Sequence, residues 1–214
     1  MVGKKNGIVI QGLCSAVSGV DRDTVQLYNN KERDYITYRI KTDQQTGGVT
    51  TCRCTVGLSS GTVYWGDGTF DTYTSSLDIT HDYGVAGTYD IYLYTNSFKY
   101  SDVGNNDRPK YLQIKDLRKQ IFSGYSEYSG MANMTVIANA GAPDPDNVPR
   151  VGRAFQNCDS ITTINASQWG FPATGILYFA DNTFTGCALF NDPGVSTWRV
   201  DRYVNIGQMF KDCL

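Results

Sequence analysis

Residues 64–69 read Tyr-Trp-Gly-Asp-Gly-Thr, and this hexapeptide decides the fold of the first half of the chain. It closes the apolar run Thr62-Val63-Tyr64-Trp65, which has the composition of a short strand. Glycine on both sides of Asp67 permits a tight turn, and the aspartate carboxylate can accept hydrogen bonds from neighbouring backbone N–H groups. The stretch therefore predicts a strand that ends in a tight turn, with Trp65 anchored in a core between two sheets.

Short runs of alternating polarity lie on both sides of this turn. Ile36, Tyr38 and Ile40 share one face of their run, and Cys52 and Cys54 share one face of the next, as in half-buried strands. The predicted strands are residues 35–42, 49–56, 62–65, 77–80 and 88–94. Five short strands separated by turn residues favour a mainly β fold built as a β-sandwich.

Two further motifs follow the turn at fixed spacing, Thr80-His81-Asp82-Tyr83 and Gly87-Thr88-Tyr89. Over residues 34–97 the pattern resembles a PKD-type immunoglobulin-like domain, with its WGDG turn, H-x-Y corner and G-T-Y strand start. The resemblance implies structural roles, not chemical ones, for Trp65, Gly66, Asp67, Gly68, His81, Tyr83, Gly87 and Tyr89.

Asp67, His81 and Asp82 also suggest acid–base chemistry, because carboxylates and imidazole are its usual agents. No candidate nucleophile accompanies them, and they lie within the PKD-like pattern, so a structural corner is favoured and no catalytic residue is predicted. Calcium on Asp67, Asp71 or Asp82 is the alternative for the carboxylates. The sequence lacks a dense acidic loop, and no metal or cofactor is predicted.

The second half contains an internal repeat. A Phe-x-x-Cys unit occurs three times, and a tryptophan follows the first two cysteines at the same distance. The residues are Phe155, Cys158 and Trp169; Phe184, Cys187 and Trp198; and Phe210 and Cys213. Such a period predicts a short leucine-rich-like solenoid, with one strand and one helix or turn per coil and with Phe and Cys facing inward.

Three neighbouring stretches receive roles in this solenoid. Residues 161–164 are predicted as the strand of their repeat, and residues 131–138 as a preceding, divergent strand. Residues 112–115, together with Phe122, are predicted to cap the N-terminal end of the stack.

The units resemble BspA-type leucine-rich-like repeats of bacterial surface proteins, whose motif is M-F-x-x-C followed by a Trp-containing strand. The family often sets these repeats after a PKD-like domain, as here. Ala154 and Thr183 depart from the family pattern at the Met position, and Leu189 or Phe190 disturbs the second repeat. The resemblance implies display and adhesion.

The six cysteines allow several interpretations. A buried thiol column is favoured for Cys158, Cys187 and Cys213, because cysteine packs as a small apolar residue. Disulfides between coils are the alternative, which cytoplasmic synthesis disfavours. Cys52 and Cys54 share a strand face and cannot easily bond to each other, and a C-x-C zinc pair lacks its second half.

Composition excludes other classes of function. Nineteen Lys and Arg oppose 21 Asp and Glu among 214 residues, for a net charge of −2, so no basic nucleic-acid surface is predicted. One histidine leaves little room for histidine-based catalysis. No run approaches the roughly 18 apolar residues of a membrane span.

The predicted organisation is an N-terminal attachment arm (1–33), a sandwich (34–97), a connecting and capping region (98–130) and the repeats (131–214). Because the sequence begins at Met1 without a leader, we expect cytoplasmic synthesis and a place on a bacteriophage virion surface, as a capsid decoration, head fibre or tail-associated adhesin. The expected partners are other virion proteins through the arm, a host glycan or protein receptor, and further copies of the chain. The alternatives are a bacterial cell-surface adhesin and a carbohydrate-binding module that uses Tyr111, Tyr125 and Tyr128.

Overall fold

The computed structural model describes residues 36–44, 50–56, 60–75, 77–94, 107–117, 128–136, 150–169, 178–198 and 203–214. The predicted arm, the capping residue Phe122 and the sugar-stacking candidate Tyr125 lie outside these ranges, as does Cys14.

The described chain is mainly β, as the sequence predicts. Ten strands occur within it, and the helical segments in their neighbourhood are short 3-10 turns. The strands are β1 (Ile36–Lys41), β2 (Thr51–Val56), β3 (Gly61–Tyr64), β4 (Phe70–Tyr73), β5 (Leu77–Asp82), β6 (Thr88–Tyr94), β7 (Tyr111–Asp116), β8 (Thr135–Val136), β9 (Tyr178–Phe179) and β10 (Tyr203–Asn205). The 3-10 turns are Arg108–Lys110, Ala166–Gln168 and Pro193–Thr197.

Two sheets occur within the described part of residues 36–136. One has six strands in the order β4-β3-β6-β1-β7-β8, and the other pairs β2 with β5. All pairs are antiparallel except β7 with β8, which run parallel in the register Ile114↔Val136. The strand β4, which the sequence analysis did not identify, follows the Trp-Gly-Asp-Gly turn and returns along β3.

Residues of both sheets contribute to one hydrophobic core. On β1 the alternation places Ile36, Tyr38 and Ile40 inside with no exposed surface, while Cys52 and Cys54 are equally buried on β2. The hydroxyl of Tyr111 on β7 donates to the Arg53 carbonyl of the second sheet at 3.0 Å. Each fully buried aliphatic side chain contributes about 1.5–3 kcal/mol to folding. The apolar face that the period-two pattern defines on each strand is therefore the face that is buried in the core.

In the second half of the chain, the described residues include four equivalent turns stacked on one another, which we call the turn stack. They comprise residues 128–134, 150–161, 179–190 and 205–213. Backbone N–H groups of one turn donate to carbonyls of the next, as Tyr128 does to Ala154, Phe155 to Thr183 and Phe184 to Met209, at 2.8–3.0 Å. The first turn carries no Phe-x-x-Cys unit, because Tyr128 and Met131 hold the positions of the aromatic and the cysteine.

Left-handed backbone conformation recurs at two places in these turns. Two residues before the aromatic it occurs at Arg153, Asn182 and Gln208, with φ of 56–58°. One residue before the cysteine position it occurs at Gly130, Asn157, Gly186 and Asp212, with φ of 57–77°. Non-glycine residues adopt this conformation at a cost. Its recurrence at equivalent positions shows that the stack imposes the turn on the sequence.

Of the strands expected in the repeat, one is absent, a second is shorter than predicted, and the strand that the resemblance implies at the tryptophans is not formed. Residues 161–164 form no strand: the carboxylate of Asp192 accepts the Ile164 N–H at 3.0 Å, a bond that a strand ladder would need. Residues 131–134 form a turn closed by the Met134 N–H to the Met131 carbonyl, and the strand there is only Thr135–Val136, with 137–138 outside the described ranges. Trp169 and Trp198 each end a 3-10 turn and lie in no strand.

Candidate functional site: the WGDG corner and the aromatic column

The turn after β3 is closed by its own aspartate. Gly66 and Gly68 have φ of 83° and 96°, and the Trp65 N–H donates to the Thr69 carbonyl at 3.1 Å. Asp67 Oδ1 accepts hydrogen bonds from the backbone N–H and the hydroxyl of Thr69 at 2.9 and 2.7 Å. The predicted role of the Asp67 carboxylate is confirmed.

The histidine of β5 completes this corner. His81 Nε2 lies 2.7 Å from Asp67 Oδ2, and it carries the proton of this contact because an ionised carboxylate only accepts. Its ring stacks on Trp65 with centroids 4.8 Å apart and meets the edge of Tyr83 at 4.5 Å. Partial burial opposes ionisation of Asp67, but the bonds from Thr69 and His81 outweigh it and lower the pKa of the carboxyl.

Two tyrosines hold the corner against the sheets. The Tyr83 hydroxyl donates to the Trp65 carbonyl at 3.0 Å, and its ring stacks on Tyr89 at 3.8 Å. Burial raises the pKa of Tyr83, so its phenol stays protonated. The Gly87 N–H donates to Thr42 Oγ1 at 3.0 Å, which attaches the start of β6 to the end of β1.

The carboxylates near the corner are directed to separate partners. Asp71 Oδ2 accepts the Trp65 indole N–H at 2.7 Å, and Asp82 Oδ1 accepts the Gly84 N–H at 2.9 Å. Within the described ranges, no three His, Cys, Asp or Glu side chains form a group able to hold a metal ion. The arrangement holds the His81 imidazole against the rings of Trp65 and Tyr83 and against the Asp67 carboxylate.

A column of aromatic rings runs through the turn stack. Tyr128 stacks on Phe155 with centroids 5.3 Å apart, Phe155 on Phe184 at 5.6 Å, and Phe184 on Phe210 at 5.6 Å. The last two pairs are parallel within 2°. At the other end the hydroxyls of Tyr128 and Tyr38 lie 2.8 Å apart in the core. The column thus joins the turn stack to β1 of the large sheet.

The repeat cysteines lie beside this column as free thiols. Each donates its S–H to the carbonyl of the aromatic residue one turn earlier: Cys158 to Tyr128 at 3.1 Å, Cys187 to Phe155 at 2.9 Å and Cys213 to Phe184 at 3.2 Å. Burial raises the pKa of Cys187 to about 12 and that of Cys158 well above its ordinary value. Cys158 and Cys187 are buried as predicted, whereas Cys213 at the end of the stack is only partly buried.

The two repeat tryptophans, Trp169 and Trp198, are buried beside the aromatic column. Their rings stack at 6.1 Å, and Trp198 donates its indole N–H to the Ala166 carbonyl of the preceding turn at 2.9 Å. Between them Asp192, which is 6% exposed, accepts the N–H groups of Ile164, Ala166 and Gly194 at 2.8–3.0 Å. Asp192 was not predicted as a site residue from the sequence. The repeat spacing aligns Asp192 with Thr163, and each side chain accepts the backbone N–H two residues later. Aligning the repeats is therefore the sequence signal that could have identified Asp192.

Tyrosines proposed to stack on sugars are instead core residues. Tyr128 is fully buried, and Tyr111 is 1% exposed. Both rings pack on Tyr38, with centroids 6.0 Å away. The pair therefore offers no sugar-binding platform, and the packing interpretation is the correct one.

Comparisons with known proteins add no relative. No protein-family model, curated protein or solved structure matches the chain. No helix in the described part is long and apolar enough to span a bilayer.

Proposed function

We propose that this chain is a non-enzymatic display and adhesion protein of a bacteriophage virion surface, made of an immunoglobulin-like sandwich of the PKD type followed by a short leucine-rich-like solenoid. The observation that carries the proposal is the aromatic column. It makes the sheets and the turn stack share one core, as a rigid spacer requires, and it occupies the interior that a ligand pocket would need.

The corner supports a structural use of the conspicuous ionisable residues. Both oxygens of Asp67 accept hydrogen bonds, and His81 is held between Trp65 and Tyr83. A general base must reach a proton of its substrate, whereas Nε2 of this imidazole is hydrogen-bonded to the Asp67 carboxylate. The proposal therefore assigns the corner to stability.

Association with particles tests the setting. Antibodies against the chain are used to follow it through density-gradient fractions of the lysed producing culture, and gold-labelled antibodies locate it on particles by electron microscopy. We expect the protein to band with particles and to label their surface. Recovery only in the cell-envelope fraction would support the bacterial adhesin instead, and recovery only in the soluble fraction would reject display altogether.

A truncation tests the attachment arm. A chain that lacks residues 1–30 is expected to fold, with unchanged tryptophan fluorescence, and to be lost from the particle band. Full retention on particles refutes the attachment role. A matched variant, Phe70→Ser, changes an exposed side chain of β4 and is expected to remain bound.

A further inference from the structure

The last described turn, residues 205–213, has an edge of backbone donors. In the two turns before it, four alternate N–H groups donate to carbonyls of the following turn; they belong to Val151, Arg153, Phe155 and Asn157, and to Ala180, Asn182, Phe184 and Gly186. The equivalent donors of the last turn are Ile206, Gln208, Phe210 and Asp212. None of these four N–H groups donates to an acceptor within the described ranges.

The side chains at this edge repeat the same pattern. The Phe210 ring is 42% exposed, whereas Phe155 and Phe184 are fully covered by the ring of the following turn. The carbonyls of Phe155 and Phe184 each accept a thiol from the following turn. The Phe210 carbonyl has the equivalent position, and no described thiol reaches it. Ile206 adds an apolar surface that is 46% exposed.

The polarity of the edge decides what fits it. The carbonyls of Ile206, Gln208 and Phe210 are already engaged by N–H groups of their own turn, so the edge offers donors. The same edge of a second copy would place N–H groups against N–H groups and leave them unsatisfied, at a cost. A segment with carbonyls at alternate residues can accept hydrogen bonds from all four N–H groups. Each turn of this repeat presents such carbonyls to the preceding turn, as Phe179, Asp181, Thr183 and Thr185 do.

We propose that residues 205–213 form a docking edge for a polypeptide segment that carries the turn sequence of this repeat, with an aromatic residue three positions before a cysteine. Carbonyls of the segment accept the N–H groups of Ile206, Gln208, Phe210 and Asp212. Its aromatic ring stacks on Phe210, and its thiol donates to the Phe210 carbonyl. The geometry is that of the two turn-to-turn contacts already present, and it does not depend on where the protein is displayed.

Amide hydrogen exchange of the full chain, read by NMR, tests the docking edge. One arm adds a peptide with the sequence of residues 178–190, and a second arm appends a copy of residues 189–214 after Leu214. We expect exchange of the four edge amides to slow at least tenfold in either arm. The amides of Ala180 and Asn182, which are paired in the chain alone, stay protected throughout and report that the chain is folded.

Matched controls replace the aromatic residue and the cysteine of the added segment with serine, and they are expected to give no protection. Unchanged exchange in both arms overturns the proposal. It is equally overturned if the edge amides are already protected in the chain alone.

Discussion

Replacement of Phe184 by alanine is the most direct test of the aromatic column. Phe184 is fully buried, and its ring lies 5.6 Å from Phe155 and from Phe210, 4.1 Å from Phe190 and 6.2 Å from Trp198. Truncation removes all four ring contacts and leaves a cavity in the middle of the stack. Such buried Phe→Ala changes cost about 3–5 kcal/mol, and we expect about 4 kcal/mol for Phe184, which loses contacts with four aromatic rings.

Phe210→Ala is the matched control, because the same ring at the end of the column is 42% exposed and stacks on Phe184 and Phe190. With roughly half of the burial lost, we expect a cost of about 2 kcal/mol. The two variants should therefore differ by about 2 kcal/mol, or roughly 30-fold in the unfolding equilibrium. Phe184→Leu, which keeps most of the volume and loses the stacking, should cost about 1.5 kcal/mol.

Urea unfolding followed by tryptophan fluorescence measures these differences. With a slope of about 2 kcal/mol per molar urea, Phe184→Ala lowers the midpoint by about 2 M and Phe210→Ala by about 1 M. Equal midpoints for the two alanine variants would refute the reasoning, because an internal and a terminal ring would then contribute alike. A Phe184→Leu variant as unstable as Phe184→Ala would assign the effect to ring stacking instead of cavity formation.

Four further predictions concern single features. Gly66→Ala should destabilise the fold by at least about 2 kcal/mol, because φ is +83° there and the added Cβ would lie 2.3 Å from the Asp90 carbonyl oxygen. Gly84→Ala is the control: φ is +66°, but the added Cβ meets open space, so only about 1 kcal/mol of backbone strain is expected. Equal urea midpoints for the two variants would contradict this prediction. The pKa of Asp192 is lowered, because hydrogen bonds from Thr163, Ala166, Gly194 and Ile164 outweigh the effect of burial. The ionised carboxylate therefore stabilises the fold fully above the unfolded-state pKa of about 3.9, and this stabilisation is lost as the pH falls through the lower folded value. The free energy of unfolding should decline less steeply with acid in Asp192→Asn than in the unchanged chain. In a Cys14→Ser background, a thiol reagent at pH 8 should modify Cys213 well before Cys52 or Cys187, because burial raises the pKa of each of these two thiols to about 12. Mass spectrometry measures the modification rates, and equal rates for the three thiols would contradict the burial of Cys52 and Cys187. A double-mutant cycle of Tyr38→Phe and Tyr128→Phe should give a coupling energy of about 1 kcal/mol for their buried hydroxyl contact, while zero coupling would mean that this contact does not stabilise the join.

The sequence predicted the features that depend on local chemistry. The alternation of Ile36, Tyr38 and Ile40 located β1 within one residue at each end, and the Trp-Gly-Asp-Gly turn behaves as its glycines require. The contact between Asp67 and His81 was also within reach, because both residues belong to one spaced pattern. In each case the physical cause lies within a few residues or in a single strand period.

Features set by stacking were not predictable in the same way. Arg153 and Gln208 are poor left-handed residues by themselves, and only their equivalence to Asn182 reveals the turn they share. Residues 161–164 have β-branched composition and yet form no strand, because Asp192 from the next turn takes the Ile164 N–H. Tyr128 carried no motif, although it begins the column. Partners supplied by the neighbouring turn override local propensity at all these positions.

The turn stack separates what the core fixes from what the surface can vary. Rings, thiols and alternate N–H groups repeat from turn to turn, and their partners are largely backbone carbonyls, which every residue supplies. The side chains between them differ from turn to turn, as Gln156 and Lys211 do at one equivalent position. Since fold alone does not determine function, we propose that any recognition by this chain uses these variable side chains. The aromatic column then sets only the spacing between successive turns, whose rings have centroids 5.3–5.6 Å apart.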